Sequence, residues 1–125
     1  MEPIAVQQNY KDLRVWQNSR ELVKHIYLLT QHFPAEERFG LSNQMRRAAV
    51  SVPSNVAEGN GRQYPRDTIQ FLVIARGSLY ELDTQCHLAF DLLFIDIQQL
   101  NDVTERITNC IKLVQGFIRY YRSLG

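Results

Sequence analysis

The 125-residue sequence is poor in the residues that staple, chelate or anchor a chain. It holds only two cysteines, Cys86 and Cys110, with no CxxC spacing. Both fall on apolar helical positions, which favours buried, reduced thiols over a disulfide or a metal site. Such thiols are also poor nucleophiles, because reactivity needs an exposed thiolate. No Glu stands three residues before a His, as the di-iron sites of helical bundles require. His25 and His32 would lie roughly 10 Å apart along a helix axis, too far to share one metal. No apolar run approaches the roughly 18 residues of a membrane span, and no signal-peptide core follows Met1. The expectation is a cytoplasmic protein with no membrane partner. Gly59-Asn60-Gly61 lacks the Gly-Lys-Ser/Thr of a phosphate loop. Internal repeats, low-complexity segments and period-2 strand patterns are missing. Neither catalysis nor a cofactor or metal is expected.

What is present is helical periodicity. At 45% apolar and 22% charged residues, the chain has the composition of one soluble domain over residues 1–125, large enough for a core without staples. Leu13 to Phe33 reads as a first helix, with Asp12 as N-cap, Pro34 as stop, and a stripe of Val15, Leu22, Ile26, Leu29 and Phe33. Trp16 near its start reads as core or interface. A second helix runs from Leu41 to Gly59. A third starts after Asn60-Gly61 with Pro65 in its first turn, and Leu72, Ala75, Leu79, Leu82, Cys86, Ala89 and Leu93 form its seam. The fourth carries Leu100, Val103, Ile107, Cys110, Val114, Phe117 and Tyr121. Sustained 3-4 spacing and short connections predict an all-α, antiparallel up-down-up-down four-helix bundle.

The stretch from Leu41 to Arg62 breaks ordinary helix rules. Pro53 lies inside it and is expected to kink the helix. Leu41, Met45, Ala48, Ala49, Val52 and Val56 form one apolar face, and Val50, Pro53 and Ala57 an adjoining one. A helix apolar around most of its circumference is covered on more than one side, which suggests a neighbouring subunit. Its remaining polar stripe is Gln44, Arg47, Ser51, Asn55 and Glu58. The third helix carries Ser78, Glu81 and Gln85 within a second apolar stripe of Phe71, Ile74, Leu88 and Leu92. The two polar stripes are expected to face each other as a hydrogen-bonded layer, with Glu81 buried or half-buried and paired with an arginine, Arg47 being the first candidate. That layer reads either as a register-fixing device or as a binding site. Gly77 is expected to permit a close helix crossing.

The net charge of +1 singles out no partner, but the signs separate along the chain. Arg38, Arg46, Arg47, Arg62 and Arg66 face a single acid, Glu58, whereas Glu81 to Glu105 holds carboxylates and no Lys or Arg. Lys112, Arg119 and Arg122 turn the C-terminus basic again.

One pattern starts at Tyr10-Lys11-Asp12-Leu13 and Val15-Trp16-Gln17, and its core is Phe33-Pro34, Glu37, Phe39-Gly40-Leu41, Gln44, Arg46-Arg47-Ala48, Ser51, Pro53, Asn55, Ala57-Glu58-Gly59, Ala75, Gly77-Ser78 and Glu81. On these residues the chain resembles the four-helix bundle proteins encoded by intervening sequences of bacterial 23S ribosomal RNA genes. Tyr64 departs from that pattern, standing where the family usually has a capping Ser. The resemblance implies a homo-oligomer, a ring-shaped pentamer. It also implies kinship with the accessory proteins of diversity-generating retroelements, which work with a reverse transcriptase and bind nucleic acid.

Two non-enzymatic functions follow. One is an oligomeric accessory factor that binds RNA or DNA, using Arg46, Arg47, Arg62, Arg66, Arg119 and Arg122 on phosphates. The other is an oligomeric protein-interaction scaffold. Near-neutral charge and the lack of a base-reading motif favour the scaffold, and the resemblance favours nucleic acid.

Overall fold

A computed structural model describes residues 2–3 and 9–125, so the expectation of no leader at Met1 lies outside the described residues. Four α-helices dominate: α1 (Arg14–Thr30), α2 (Leu41–Asn60), α3 (Pro65–Asp91) and α4 (Ile97–Leu124). Two 3-10 turns, Tyr10–Asp12 and Ala35–Phe39, precede α1 and α2, and no strand occurs among the described residues. Each helix packs on the next, and α1 also packs on α4. Among the described residues no helix is long and apolar enough to cross a membrane.

The first helix is shorter than its periodicity suggests. Asp12 does not cap it: Asp12 ends the first 3-10 turn, and the extended Leu13 takes the cap position with no side-chain bond. Leu13 is itself buried, so the cap residue serves as an apolar anchor. At the other end Phe33 lies beyond the helix yet remains in the core, its ring 5.2 Å from that of Phe94. Two buried hydroxyls complete the inner face of α1. Ser19 donates to the Trp16 carbonyl at 3.0 Å, and Thr30 donates to the Ile26 carbonyl at 2.7 Å. Back-bonding of this kind lets a small polar side chain occupy a core position without an orphaned donor.

The apolar face of α2 is buried as its spacing requires: Met45, Ala48, Ala49, Val52 and Val56 are in the core. Its N-terminus is satisfied from one turn back, where the Glu37 carboxylate accepts the Leu41 N–H at 2.8 Å. A Cβ on Gly40 would come within 2.6 Å of that carboxylate, so the glycine leaves it room. The close crossing is made by Gly59 rather than Gly77. A Cβ on Gly59 would stand 2.9 Å from the Phe71 Cβ, and Thr68 donates to the Gly59 carbonyl at 2.8 Å. A Cβ on Gly77 would meet nothing within 4 Å.

Pro65 opens α3, and Tyr64 supplies no side-chain cap. The seam from Leu72 to Ala89 is buried, but Leu93 is not part of it. The helix stops at Asp91 in a Schellman turn, in which Phe94 donates to the Ala89 carbonyl and Leu93 to that of Phe90. Leu93 takes the left-handed position of that turn, with φ 64°, and is 88% exposed. A reciprocal capping box opens α4: Asp96 accepts from the Gln99 N–H, and the Gln99 side chain accepts from the Asp96 N–H. Its seam steps from Val114 to Ile118 and Tyr121, so Ile118 replaces Phe117 in the core. A straight helix drifts about 20° per heptad against a 3.5-residue repeat, and over 28 residues the seam makes up the drift with one longer step.

Candidate functional site

The six candidate arginines do not share one role. Arg46 is tied into the bundle: its Nε donates to Thr30 Oγ1 at 2.8 Å, and its guanidinium lies 4.5 Å from the Tyr27 ring centroid. An Nη also donates to the Tyr27 carbonyl at 3.5 Å, which puts a cation at the negative end of α1. Arg62 stacks on Phe71 at 4.5 Å. Arg47, Arg66, Arg119 and Arg122 are exposed. Among the described residues the ion pairs are His87–Asp83 and Arg106–Asp102, so these four guanidiniums have no carboxylate partner. Arg66 also stands in the first turn of α3, where the helix dipole repels a cation. Arg122 occupies the last turn of α4, where the same dipole favours it.

The polar stripes of α2 and α3 do meet, over a shorter span than the sequence suggests. The Ser51 and Ser78 hydroxyls lie 2.9 Å apart, and Asn55 Nδ2 donates to the Ser51 hydroxyl at 2.9 Å and the Ser51 carbonyl at 2.7 Å. Gln85, two turns further along α3, is also buried, and its Oε1 has no hydrogen-bond partner among the described residues. Gln44, Arg47, Glu58 and Glu81 are exposed instead. Glu81 is therefore neither buried in the subunit nor paired with Arg47. The stripes run along the outer edge of the α2–α3 seam. Short hydroxyls can meet inside such an edge, whereas longer charged side chains extend to water and avoid the desolvation that a buried carboxylate would suffer.

Two further surfaces flank this edge. A groove of about 650 Å³ is lined by Tyr27, Phe39, Val50 and Ser51 with Arg38, Arg46 and Arg47. Phe39 is 86% exposed beside it. A second groove, between α1 and α2, is walled by Tyr10, Trp16, Val23, Pro53 and Ala57. Trp16 is half-buried there against Tyr10 at 5.3 Å. The adjoining face of α2 is thus partly covered by the chain's own N-terminal turn, while Val50 stays open to solvent.

The described residues bring no three His, Cys, Asp or Glu side chains together as a metal site. His25 and His32 line one groove between α1 and α4, together with Asp102. Burial pushes the Cys86 thiol up to about 12, with Asp83 adding to the effect, and burial alone does the same for Cys110. Neither is a thiolate near neutral pH. Periodicity could not have found the Glu37 cap, the Thr30–Arg46 tie or the Gly59 crossing, because each depends on which residues of different elements meet.

The sequence model of the 23S rRNA-intervening sequence protein family matches residues 11–116. A comparison with curated proteins finds no match. Among solved structures, the chain is similar to the crystal structure of a protein of unknown function from the S23 ribosomal protein family of Bacteroides thetaiotaomicron VPI-5482. That likeness has a TM-score of 0.75 at 24% identity and covers 83% of this chain and 97% of that chain. At this identity the likeness concerns the fold.

Proposed function

The chain belongs to the 23S rRNA-intervening sequence protein family, and from that premise we propose that it acts as a non-enzymatic, oligomeric accessory protein that binds RNA or DNA through arginine–phosphate contacts. The observation that carries the reading is the set Arg66, Arg119 and Arg122, exposed and, among the described residues, without carboxylate partners in a chain of nearly balanced charge. In this reading the helices alternate up and down, so that Arg66 at the start of α3 and Arg119 and Arg122 near the end of α4 face the same end of the bundle. The helix α2 bends at Pro53, whose nitrogen cannot donate to the Ala49 carbonyl. Five copies in a ring would repeat the basic patch, which raises the effective concentration of each further contact. A reverse transcriptase or another protein is the partner expected to work on the same nucleic acid, in the cytoplasm.

Phosphate neutralisation makes two expectations testable. Gel-shift titration with structured RNA and duplex DNA near ~50 mM salt gives binding that weakens steeply as salt rises. Replacing Arg66, Arg119 and Arg122 by Gln lowers affinity evenly across sequences, because phosphate contacts position without reading bases. No shift at protein concentrations on the order of tens of micromolar would defeat the reading, since sequence-independent binding falls in that range. The scaffold reading then takes its place, and the exposed apolar side chains of α3 favour it.

A further inference from the structure

The outer face of α3 has features that nothing inside the subunit requires. Gly77 lies mid-helix, where glycine weakens the structure, yet a side chain there would meet nothing within 4 Å. On the same face, at helical spacing, stand Ile74 at 52% exposure, Glu81, and Leu88 at 46% exposure. At the inner edge of this face lies Gln85, whose Oε1 is the one buried side-chain atom without a partner among the described residues. An absent side chain, exposed aliphatics and an unsatisfied acceptor along one ridge are the marks of a surface that another backbone approaches closely.

The groove that would receive such a ridge is present on the same chain. It lies beside α1 and α2, with Tyr27, Phe39 and Val50 as its apolar lining, and its charged residues are Arg38, Arg46 and Arg47 with no carboxylate. The ridge offers the opposite sign, Glu81, which no cation pairs with among the described residues of its own subunit. Ridge against ridge would oppose two glutamates, and groove against groove would oppose arginines. Only ridge against groove is attractive.

We infer that the α3 ridge of one copy, centred on Gly77, seats in the Phe39–Val50 groove of a second copy and brings Glu81 to that copy's groove arginines. The inference rests on the oligomer reading above and specifies the surfaces that make it. Because ridge and groove are different surfaces, the contact is head-to-tail and leaves one of each unfilled at every step until a ring closes.

The test uses the full chain and two disabling substitutions, Gly77→Leu on the ridge and Val50→Glu in the groove. Sedimentation at micromolar protein gives a multi-chain mass for the wild type. Each variant is expected at single-chain mass with its helical circular dichroism intact, because neither position is in the core. Mixed, the two variants retain one working ridge and one working groove between them, so the expected product is a dimer and nothing larger. Glu81→Arg serves as a second ridge variant if Gly77→Leu loses helicity, and self-association falls at least tenfold. A wild-type mass retained in a folded ridge or groove variant, or a mixture that stays at single-chain mass, overturns the surface assignment while leaving the oligomer reading standing. A wild type of single-chain mass removes both.

Discussion

Leu93 occupies a backbone conformation that an L-residue with a bulky side chain enters at a penalty of roughly 1–2 kcal/mol. Its side chain recovers little of that, since it is almost wholly exposed. Leu93→Gly is therefore expected to raise stability by about 1 kcal/mol, read as an upward shift in thermal midpoint with no change in helicity. The two cysteines give a pH prediction. Each is neutral in the fold and titrates only near 12, against an ordinary value of 9.0. A folded pKa raised in this way contributes stability that is complete below about pH 9 and is lost as pH climbs towards 12. Burial shifts Tyr121 upward as well, which acts in the same direction. Denaturant midpoints are expected to fall across that window, and a Cys86→Ala, Cys110→Ala double variant to fall less steeply. The buried thiols are legible in the sequence because they sit on the helical seam. The exposure of Glu81 is not, because periodicity gives the face a residue occupies but not whether that face is the middle or the rim of a helix–helix seam.

Helix spans follow from the apolar periodicity, and helix ends do not. Leu41 and Pro65 are signalled by Gly40 and by proline at the first position, whereas the Asp96–Gln99 box that opens α4 comes from the structure. Both ends of α1 are misjudged from sequence, because a 3-10 turn takes up Asp12 and because Phe33 stays in the core without being helical. The capping box of α4 is expected to contribute about 1 kcal/mol, lost in Asp96→Ala and checked by urea denaturation. At the start of α2, Glu37→Ala leaves the Leu41 N–H without its acceptor. A loss of similar size is expected there, roughly 1–2 kcal/mol, although the two carboxylates lie in different sequence patterns. For the candidate site, sequence identifies the residue types on each stripe. It does not identify the Thr30–Arg46 tie, which withdraws one arginine from the phosphate-binding set.

At the scale of the molecule, the chain divides its surface between charge and apolar contact. Arginines without a carboxylate partner among the described residues sit at the start of α3 and near the end of α4, and the exposed aliphatics of α3 sit along a side. The core residues that hold the four helices together are almost all legible as 3-4 repeats, since a helix that buries one stripe has few other ways to arrange its apolar side chains. The order in which the helices touch has a consequence for how the chain finds its fold. Three of the four helix–helix interfaces join sequence neighbours, and only α1 against α4 spans most of the chain. Contacts between neighbours close small loops, so their entropy is lost cheaply and early, and folding is expected in the microsecond-to-millisecond range typical of helical bundles. The α1–α4 interface is expected to close last. Val103, buried where α4 faces Leu28 and Leu29 of α1, reports on that step. Val103→Ala is expected to destabilise by roughly 2 kcal/mol through the lost apolar volume. Stopped-flow chevrons would show that loss almost wholly as faster unfolding, by roughly 30-fold, with the refolding rate nearly unchanged.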